Sequence, residues 1–136
     1  MSAAAAQRVP TDPTLAGCAV LVIEDHPDSR EMLTEVLKSL RARVVAAPNI
    51  AEAEDRVGLN RFDLIVCDMK LPDGTGLDFI RWLRGQSKGI RQIPAIAVTG
   101  YAQQFPANAV TDFDAYLPKP INLDQFCNVA VSLARS

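Results

Sequence analysis

The stretch from Leu64 to Gly76 reads LIVCDMKLPDGTG, and it decides the fold class of this chain. Four apolar residues lead directly into Asp68, and a turn rich in proline and glycine follows. This pattern predicts a buried strand that ends in a loop, with a carboxylate at the carboxyl end of the strand. In an open α/β sheet, ligands bind beyond the carboxyl ends of the strands. Asp68 is therefore the first candidate for chemistry.

Apolar runs and amphipathic patterns alternate on both sides of this stretch. Residues 19–24, AVLVIE, predict a first buried strand, and a helix with one apolar stripe follows it. Further strands are predicted over residues 43–47, 63–67, 93–98 and 115–117, and further helices over 49–57, 77–86 and 123–133. Five strands interleaved with helices predict an α/β domain built on a single doubly wound parallel sheet.

The composition limits the class of protein. The chain has 136 residues, of which 49% are apolar and 22% charged, and its net charge is −2. These values predict one globular domain without the electrostatic footprint of a protein that binds nucleic acid or an anionic membrane. No apolar run approaches the roughly 20 residues of a membrane span, and no signal-peptide core precedes the domain. We therefore expect a cytoplasmic protein with a flexible leader over residues 1–16 and one domain over residues 17–136.

The three cysteines do not indicate a metal or redox site. Cys18, Cys67 and Cys127 share no metal-ligand spacing, and each lies among apolar neighbours. We expect them to be small buried core residues.

Polar side chains follow four of the five predicted strands. They are Glu24 and Asp25 after the first, Asp68 after the third, Thr99 after the fourth and Lys119 shortly after the fifth. Right-handed crossovers bring the carboxyl ends of these strands to one edge of the sheet. Clustered carboxylates repel one another, and oxygen ligands favour a hard cation such as Mg²⁺. An aspartate nucleophile, a metal site, a lysine and a hydroxyl form a set suited to phosphoryl transfer.

Four segments of the chain resemble the receiver domain of two-component response regulators. They are VLVIEDHPDSREML, LIVCDMKLPDGTGLDFI, IPAIAVTG and DAYLPKPI, in the order of that family. The resemblance implies a flavodoxin-like receiver fold with strand order 2-1-3-4-5. It also implies a signalling switch, in which Asp68 takes a phosphoryl group from the phosphohistidine of a histidine kinase or a histidine phosphotransfer protein. Phosphorylation would then change the binding of a downstream protein.

The same resemblance implies a Mg²⁺ site around the phosphoacceptor. Asp25 and Asp68 would ligate the ion directly, and Glu24 would act through a water molecule. The backbone carbonyl of Lys70 would complete the ligands that the protein supplies.

The resemblance also implies the parts of the switch. Thr99 would bind the phosphoryl group on activation, and Lys119 would pair with it. Tyr116 occupies the position of the family's aromatic switch residue. The peptide between Lys119 and Pro120 is expected to be cis.

Two residues of this chain are expected to govern the lifetime of the phosphorylated state. Lys70 and Tyr101 lie two residues after Asp68 and Thr99, so both should border the path of the water that hydrolyses the phosphoaspartate. Neither side chain is a carboxylate or carboxamide that could orient an attacking water. We therefore expect slow self-dephosphorylation.

The segment between Thr99 and Lys119 departs from the family pattern. Pro106 lies near its middle, and a proline inside a helix costs about 3 kcal/mol. The fourth helix of the receiver fold should therefore be short, displaced or partly unwound.

Two alternative functions fit the sequence less well than the switch. A Mg²⁺-dependent phosphatase with an aspartyl-phosphate intermediate would want a second acid two residues after the nucleophile, where this chain has Lys70. The complete set of candidate residues disfavours a degenerate receiver that serves only as a scaffold. We expect a protein that catalyses only its own phosphoryl transfer and dephosphorylation, not an enzyme acting on other substrates. The leader and the end at Ser136 favour a stand-alone receiver over a fragment of a larger regulator or hybrid kinase.

Overall fold

The computed structural model of the protein describes residues 14–100 and 112–135. Its centre is a parallel sheet of five strands, in the spatial order β2-β1-β3-β4-β5. The strands are Ala19–Ile23 (β1), Arg43–Ala47 (β2), Leu64–Asp68 (β3), Ala95–Thr99 (β4) and Ala115–Pro118 (β5). The predicted fold class and strand order are confirmed.

Helices cover both faces of this sheet. They are Pro27–Ser39 (α1), Ile50–Leu59 (α2), Gly76–Arg84 (α3), Lys88–Arg91 (α4) and Leu123–Ala134 (α5). Helix α2 begins where the sequence predicts, because the Asn49 side chain accepts a hydrogen bond from the N–H of Glu52 at 2.8 Å. Helix α3 begins with a capping box formed by Thr75 and Asp78.

The side chains of the central strands alternate between two apolar cores. Leu21 of β1 lies in the same core as Phe79 of α3, whereas its neighbour Val20 lies in the opposite core with Phe126 of α5. Strands β1, β3 and β4 are buried along their whole length, because helices exclude water from both faces. This rigid sheet holds the ends of its strands in fixed positions.

Two small elements lie outside the predicted set. Residues Lys70–Leu71 pair with Gly74–Thr75 in a short antiparallel hairpin directly after β3, and α4 precedes β4. The helix predicted to be irregular falls mainly on residues 101–111, together with Pro106 and Tyr101, and lies outside the described residues. Among the described residues, no helix is long and apolar enough to cross a membrane.

Residues 14–16 pack with the domain, and the burial of one cysteine differs from the expectation. Leu15 is fully buried, and its N–H donates to the carbonyl of Leu40. The guanidinium of Arg135 donates to the carbonyls of Thr14 and Ala16. Cys127 is only partly buried, because it lies on the flank of α5 away from the core residue Phe126.

Candidate functional site

The carboxyl ends of the strands meet at one edge of the sheet. Residue Cys67 of β3 is in register with Ile23 of β1, and Asp68 is in register with Val98 of β4. Thr99, the last residue of β4, is in register with Pro118 of β5. Polar residues at or just after these positions therefore face a common space.

Three carboxylates converge in this space. One side-chain oxygen from each of Glu24, Asp25 and Asp68 lies within 4.8 Å of the others. The exposed fractions of Glu24 and Asp68 are 1% and 8%, whereas Asp25 is exposed to solvent. The cluster thus combines two carboxylates in the floor of a cleft with one at its rim.

The ammonium of Lys119 partly balances the charge of the cluster. Its Nζ lies 3.1 Å from Oε1 of Glu24 and 3.4 Å from Oδ2 of Asp68. The N–H of Lys119 also donates to the carbonyl of Thr99 at 2.9 Å, which ties the residue to the end of β4. The peptide between Lys119 and Pro120 is cis, as the resemblance implies.

Burial and charge shift the titration of this group of side chains. Burial raises the pKa of Glu24 above its usual range, and the nearby Asp68 carboxylate adds to the rise. For Lys119, burial opposes the charged form, but the carboxylates of Asp68 and Glu24 outweigh it and raise the pKa of the ammonium. Lys119 therefore carries its charge at neutral pH.

The donor set suits a hard divalent cation. Three carboxylates lie together beside the ammonium of Lys119, so this group of four side chains has excess negative charge when all three carboxylates are ionised. The thiol of Cys67 donates to the carbonyl of Asp68 at 3.2 Å. Burial raises the pKa of Cys67, so it stays a neutral thiol and not a thiolate ligand. Oxygen-only ligands of this kind are those that Mg²⁺ prefers.

A cleft of about 640 Å³ opens above the cluster. Its walls include Asp25, His26, Lys70, Gly100 and Lys119. The cleft is open to solvent, so a ligand can reach the carboxylates in its floor. Lys70 lines this cleft together with Asp68, and its effect on hydrolysis stays a prediction. Tyr101 lies outside the residues that the structure describes.

Hydrogen bonds hold the loop after Asp68 at two points. The N–H of Lys70 donates to Oδ1 of Asp68 at 3.3 Å. The carboxylate of Asp73 accepts hydrogen bonds from the N–H groups of Ile50 and Ala51, at 2.9 and 3.0 Å, at the start of α2. The bond from Ile50 is the main reason that the pKa of Asp73 lies below its usual value. The anchored loop holds the hairpin beside Asp68.

Gly76 allows α3 to begin directly against the backbone of the site. Its N–H donates to the carbonyl of Met69 at 3.0 Å. A β-carbon added to Gly76 would lie only 2.6 Å from the carbonyl oxygen of Asp68. The close contact between α3 and the end of β3 therefore requires glycine at this position.

The two predicted switch residues lie on neighbouring strands, Thr99 on β4 and Tyr116 on β5. Thr99 is fully buried, and Tyr116 is in register with Ala97, two residues before Thr99. The ring of Tyr116 packs against the core that contains Phe79. Its hydroxyl is buried and has no hydrogen-bond partner within residues 14–100 and 112–135. Burial raises the pKa of Tyr116, so the hydroxyl stays protonated.

Arg30 and Asp73 contact the site region but were not among the predicted site residues. Asp73 could have been found from its place in a Pro-Asp-Gly turn, where an aspartate often caps a neighbouring N–H group. Arg30 has no such signal, because its contacts depend on how α1 folds back over residues 24–26.

Comparison with known proteins is in accord with this geometry. The sequence matches the response regulator receiver domain family over residues 20–130. The "uncharacterized 14.6 kDa protein in sodA1 3′ region" of Leptolyngbya boryana is 36% identical over 111 residues, which cover 80% of this chain and 84% of that protein. The polar-differentiation response regulator DivK of Brucella anthropi is 29% identical over 110 residues, covering 79% of this chain and 89% of DivK.

Solved structures show the same fold. The receiver domain of the sensor histidine kinase PA1611 from Pseudomonas aeruginosa PAO1 has a magnesium ion coordinated in its active-site cleft. It superimposes with a TM-score of 0.81 at 28% identity, covering 89% of this chain and 100% of that domain. The response regulator TrrA of Thermotoga maritima, in complex with Mg²⁺ and BeF, has a TM-score of 0.78 at 26% identity and covers 85% of this chain and 98% of that one. The chain therefore belongs to the family of response regulator receiver domains.

Proposed function

We propose that this receiver domain is a phosphoacceptor switch, in which Asp68 takes a phosphoryl group from a phosphohistidine. The observation that carries the proposal is the position of Asp68 at the end of β3. Its carboxylate lies in the floor of an open cleft, beside two further carboxylates and 3.4 Å from the ammonium of Lys119. A nucleophile, a fixed positive charge and an oxygen-rich metal site are the parts that phosphoryl transfer needs.

In the transfer step, an oxygen of the Asp68 carboxylate forms a bond to phosphorus. The phosphorus–nitrogen bond of the phosphohistidine breaks at the same time, and the imidazole ring departs. Lys119 is placed to pair with a phosphoryl oxygen, and the hydroxyl of Thr99 is a hydrogen-bond donor at the end of the neighbouring strand. Electrostatic stabilisation of this kind provides most of the acceleration in phosphoryl transfer.

Four groups are proposed to hold Mg²⁺. Asp25 and Asp68 supply direct carboxylate ligands, Glu24 acts through a water molecule, and Lys70 contributes its backbone carbonyl. The ion would neutralise the charge that gathers on the phosphoryl oxygens. Asp25 lies at the exposed rim of the cluster, so it is the ligand that can change without opening a cavity in the core.

The phosphoryl donor is proposed to be a protein, a histidine kinase or a histidine phosphotransfer protein. An apolar groove of about 320 Å³ adjoins the cleft and shares Glu24 and Lys119 with it. Its edge carries two large apolar side chains, Met32 of α1 and Leu123 of α5, whose exposed fractions are 39% and 46%. A helix that carries the phosphohistidine could bury these side chains while its imidazole enters the cleft.

Activation is proposed to act through Thr99 and Tyr116. Phosphorylation replaces the single charge of the Asp68 carboxylate with a phosphoryl group that carries about two negative charges. The Thr99 hydroxyl would move toward the new oxygens, and the Tyr116 ring would turn into the space it leaves. The hydroxyl of Tyr116 is buried and has no hydrogen-bond partner in the part of the chain that the structure describes. This supports the proposal, because an unsatisfied buried polar group costs about 1–3 kcal/mol and favours a rotation that satisfies it. The altered surface would then bind a downstream protein. In this proposal the domain catalyses only its own phosphorylation and dephosphorylation.

The test is chemical phosphorylation of the full chain with Mg²⁺ and a small phosphodonor. We expect the intact mass to rise by one phosphoryl group in a form that hydroxylamine removes, and no gain in Asp68→Asn. Asp55→Asn, an exposed aspartate on α2, is the matched control and should react like the parent. Asp25→Ala should lose almost all phosphorylation while its fold stays intact or becomes more stable, because like-charge repulsion is relieved. A phosphorylated Asp68→Asn would refute the assignment.

The donor is tested separately with a phosphorylated histidine phosphotransfer protein. Met32→Asp should slow transfer from that protein and leave the reaction with the small phosphodonor unchanged. Leu59→Asp, at a leucine that is 77% exposed on α2, is the control and should affect neither reaction. Equal slowing by both variants would count against a specific role for the groove.

A further inference from the structure

Arg30 reaches back from α1 to the loop that carries the acidic pair. It lies in the first turn of the helix, where its backbone N–H donates to the carbonyl of His26 at 2.9 Å. Its side chain turns toward the preceding loop, and Nη1 donates to two consecutive carbonyls. These are the carbonyl of Glu24, at 3.1 Å, and that of Asp25, at 3.2 Å.

These contacts complete a network around residues 24–26. The N–H of Glu24 donates to the carbonyl of Ala47 at the end of β2, at 3.0 Å. The carboxylate of Glu24 accepts a hydrogen bond from the N–H of His26 at 3.1 Å. Arg30 adds the bonds that fix the two peptide planes after Glu24 and Asp25. Because Asp25 is exposed, the direction of its carboxylate depends on the conformation of this loop.

We propose that Arg30 is a positioning residue for the metal site: its guanidinium, bonded to the carbonyls of Glu24 and Asp25, orients both carboxylates toward the cleft. The proposal rests on the proposed function, because it assumes that the cluster binds Mg²⁺. A charged donor suits the task, since hydrogen bonds from charged groups are stronger than neutral ones. Groups that hold metal ligands in place in this way typically change metal affinity about 10–100-fold when they are removed.

Simple electrostatics predicts the opposite result, which makes the proposal easy to test. Arg30 is a cation close to a cation site, so loss of its charge alone should strengthen Mg²⁺ binding. Loss of its positioning role should weaken binding, because Glu24 and Asp25 would have to be ordered when the ion binds. The sign of the change in affinity therefore distinguishes the two roles.

The experiment is a calorimetric titration of the full chain with Mg²⁺ alone. Arg30→Met removes the donors and keeps most of the apolar stem of the side chain. Lys38→Met is the matched control, because it removes one positive charge from the exposed far end of the same helix. We expect Arg30→Met to raise the Kd for Mg²⁺ about tenfold, and Lys38→Met to leave it unchanged. Arg30→Lys, which keeps a charged donor, should give an intermediate Kd for Mg²⁺. It replaces Arg30→Met as the test variant if the methionine variant is poorly folded.

A second measurement reports on the loop in the absence of metal. The carbonyls bonded by Arg30 belong to the peptides whose N–H groups are those of Asp25 and His26. The NMR signals of these two amides should shift in metal-free Arg30→Met and stay in place in Lys38→Met. If the parent binds Mg²⁺ and Arg30→Met binds it equally or more tightly, the positioning role is refuted while the proposed function stands. If the parent binds no Mg²⁺, the proposed function fails and this role of Arg30 fails with it.

Discussion

Replacing Gly76 by alanine tests whether the close contact between α3 and β3 controls the position and reactivity of Asp68. The new β-carbon would lie 2.6 Å from the carbonyl oxygen of Asp68, 2.9 Å from Sδ of Met69 and 3.1 Å from Cα of Met69. Ordinary contact begins at 3.4 Å, so the Asp68 carbonyl and α3 must separate by about 0.8 Å (3.4 − 2.6). The sulfur of Met69 can move aside, but the backbone of a buried strand resists displacement.

The magnitude follows from two opposing effects. Alanine at a compatible position stabilises a protein by about 0.4–1 kcal/mol through the unfolded state. Overpacking in a dense core costs about 1–3 kcal/mol. We therefore expect Gly76→Ala to lower the free energy of unfolding by about 1–2 kcal/mol. A shift approaching 1 Å at a reacting group can cost about 100-fold in rate, so phosphorylation of Asp68 should slow at least about tenfold.

Two measurements are made. Urea unfolding, monitored by the fluorescence of Trp82, gives the free energy of unfolding, and reaction with a small phosphodonor gives the rate of phosphorylation. Gly58→Ala is the matched control, because a β-carbon there meets nothing within 4 Å. It should stabilise α2 by up to about 1 kcal/mol and leave the phosphorylation rate unchanged. Parental stability and rate in Gly76→Ala would refute the steric argument. A loss of stability with a parental rate would show that the displacement does not reach the Asp68 carboxylate.

Three further predictions concern the surroundings of the site. The hydrogen bond from Ile50 keeps the pKa of Asp73 in the folded protein below its ordinary value of 3.8. The ionised Asp73 carboxylate therefore contributes its full stabilisation above pH 3.8, and this stabilisation is lost as the pH falls through the pKa of the folded protein. Asp73→Ala should cost about 1 kcal/mol at neutral pH in urea unfolding, and a deficit that persists in strong acid would contradict this. The Tyr116 ring should change its NMR environment on addition of a phosphoryl mimic with Mg²⁺, and identical spectra would count against its switch role. Lys70→Asn combined with Tyr101→Glu should speed loss of phosphate from Asp68 without changing the fold; an unchanged rate of loss would remove both residues as gates.

The sheet and the convergence of its strand ends could be predicted from sequence, because both depend on local patterns. A strand buried on both faces must be almost wholly apolar, so β1, β3 and β4 are visible as runs of apolar residues. Crossover handedness then places Asp68 beside residues from β1, β4 and β5 without knowledge of any side-chain contact. The hairpin after β3 and the short helix α4 were missed, because elements of two to four residues have too few positions to show a period.

The sequence by itself thus determined the fold class, the edge of the sheet at which the site lies, and the chemical types of the residues that meet there. Only the tertiary structure decided how they meet. Lys119 lies nearer to Glu24 than to Asp68, Gly76 touches the backbone of Asp68, and Arg30 bonds the two carbonyls before its own helix. Such contacts depend on the directions of side chains brought together from distant parts of the chain. Those directions are set by packing against neighbours that no local pattern of residues specifies.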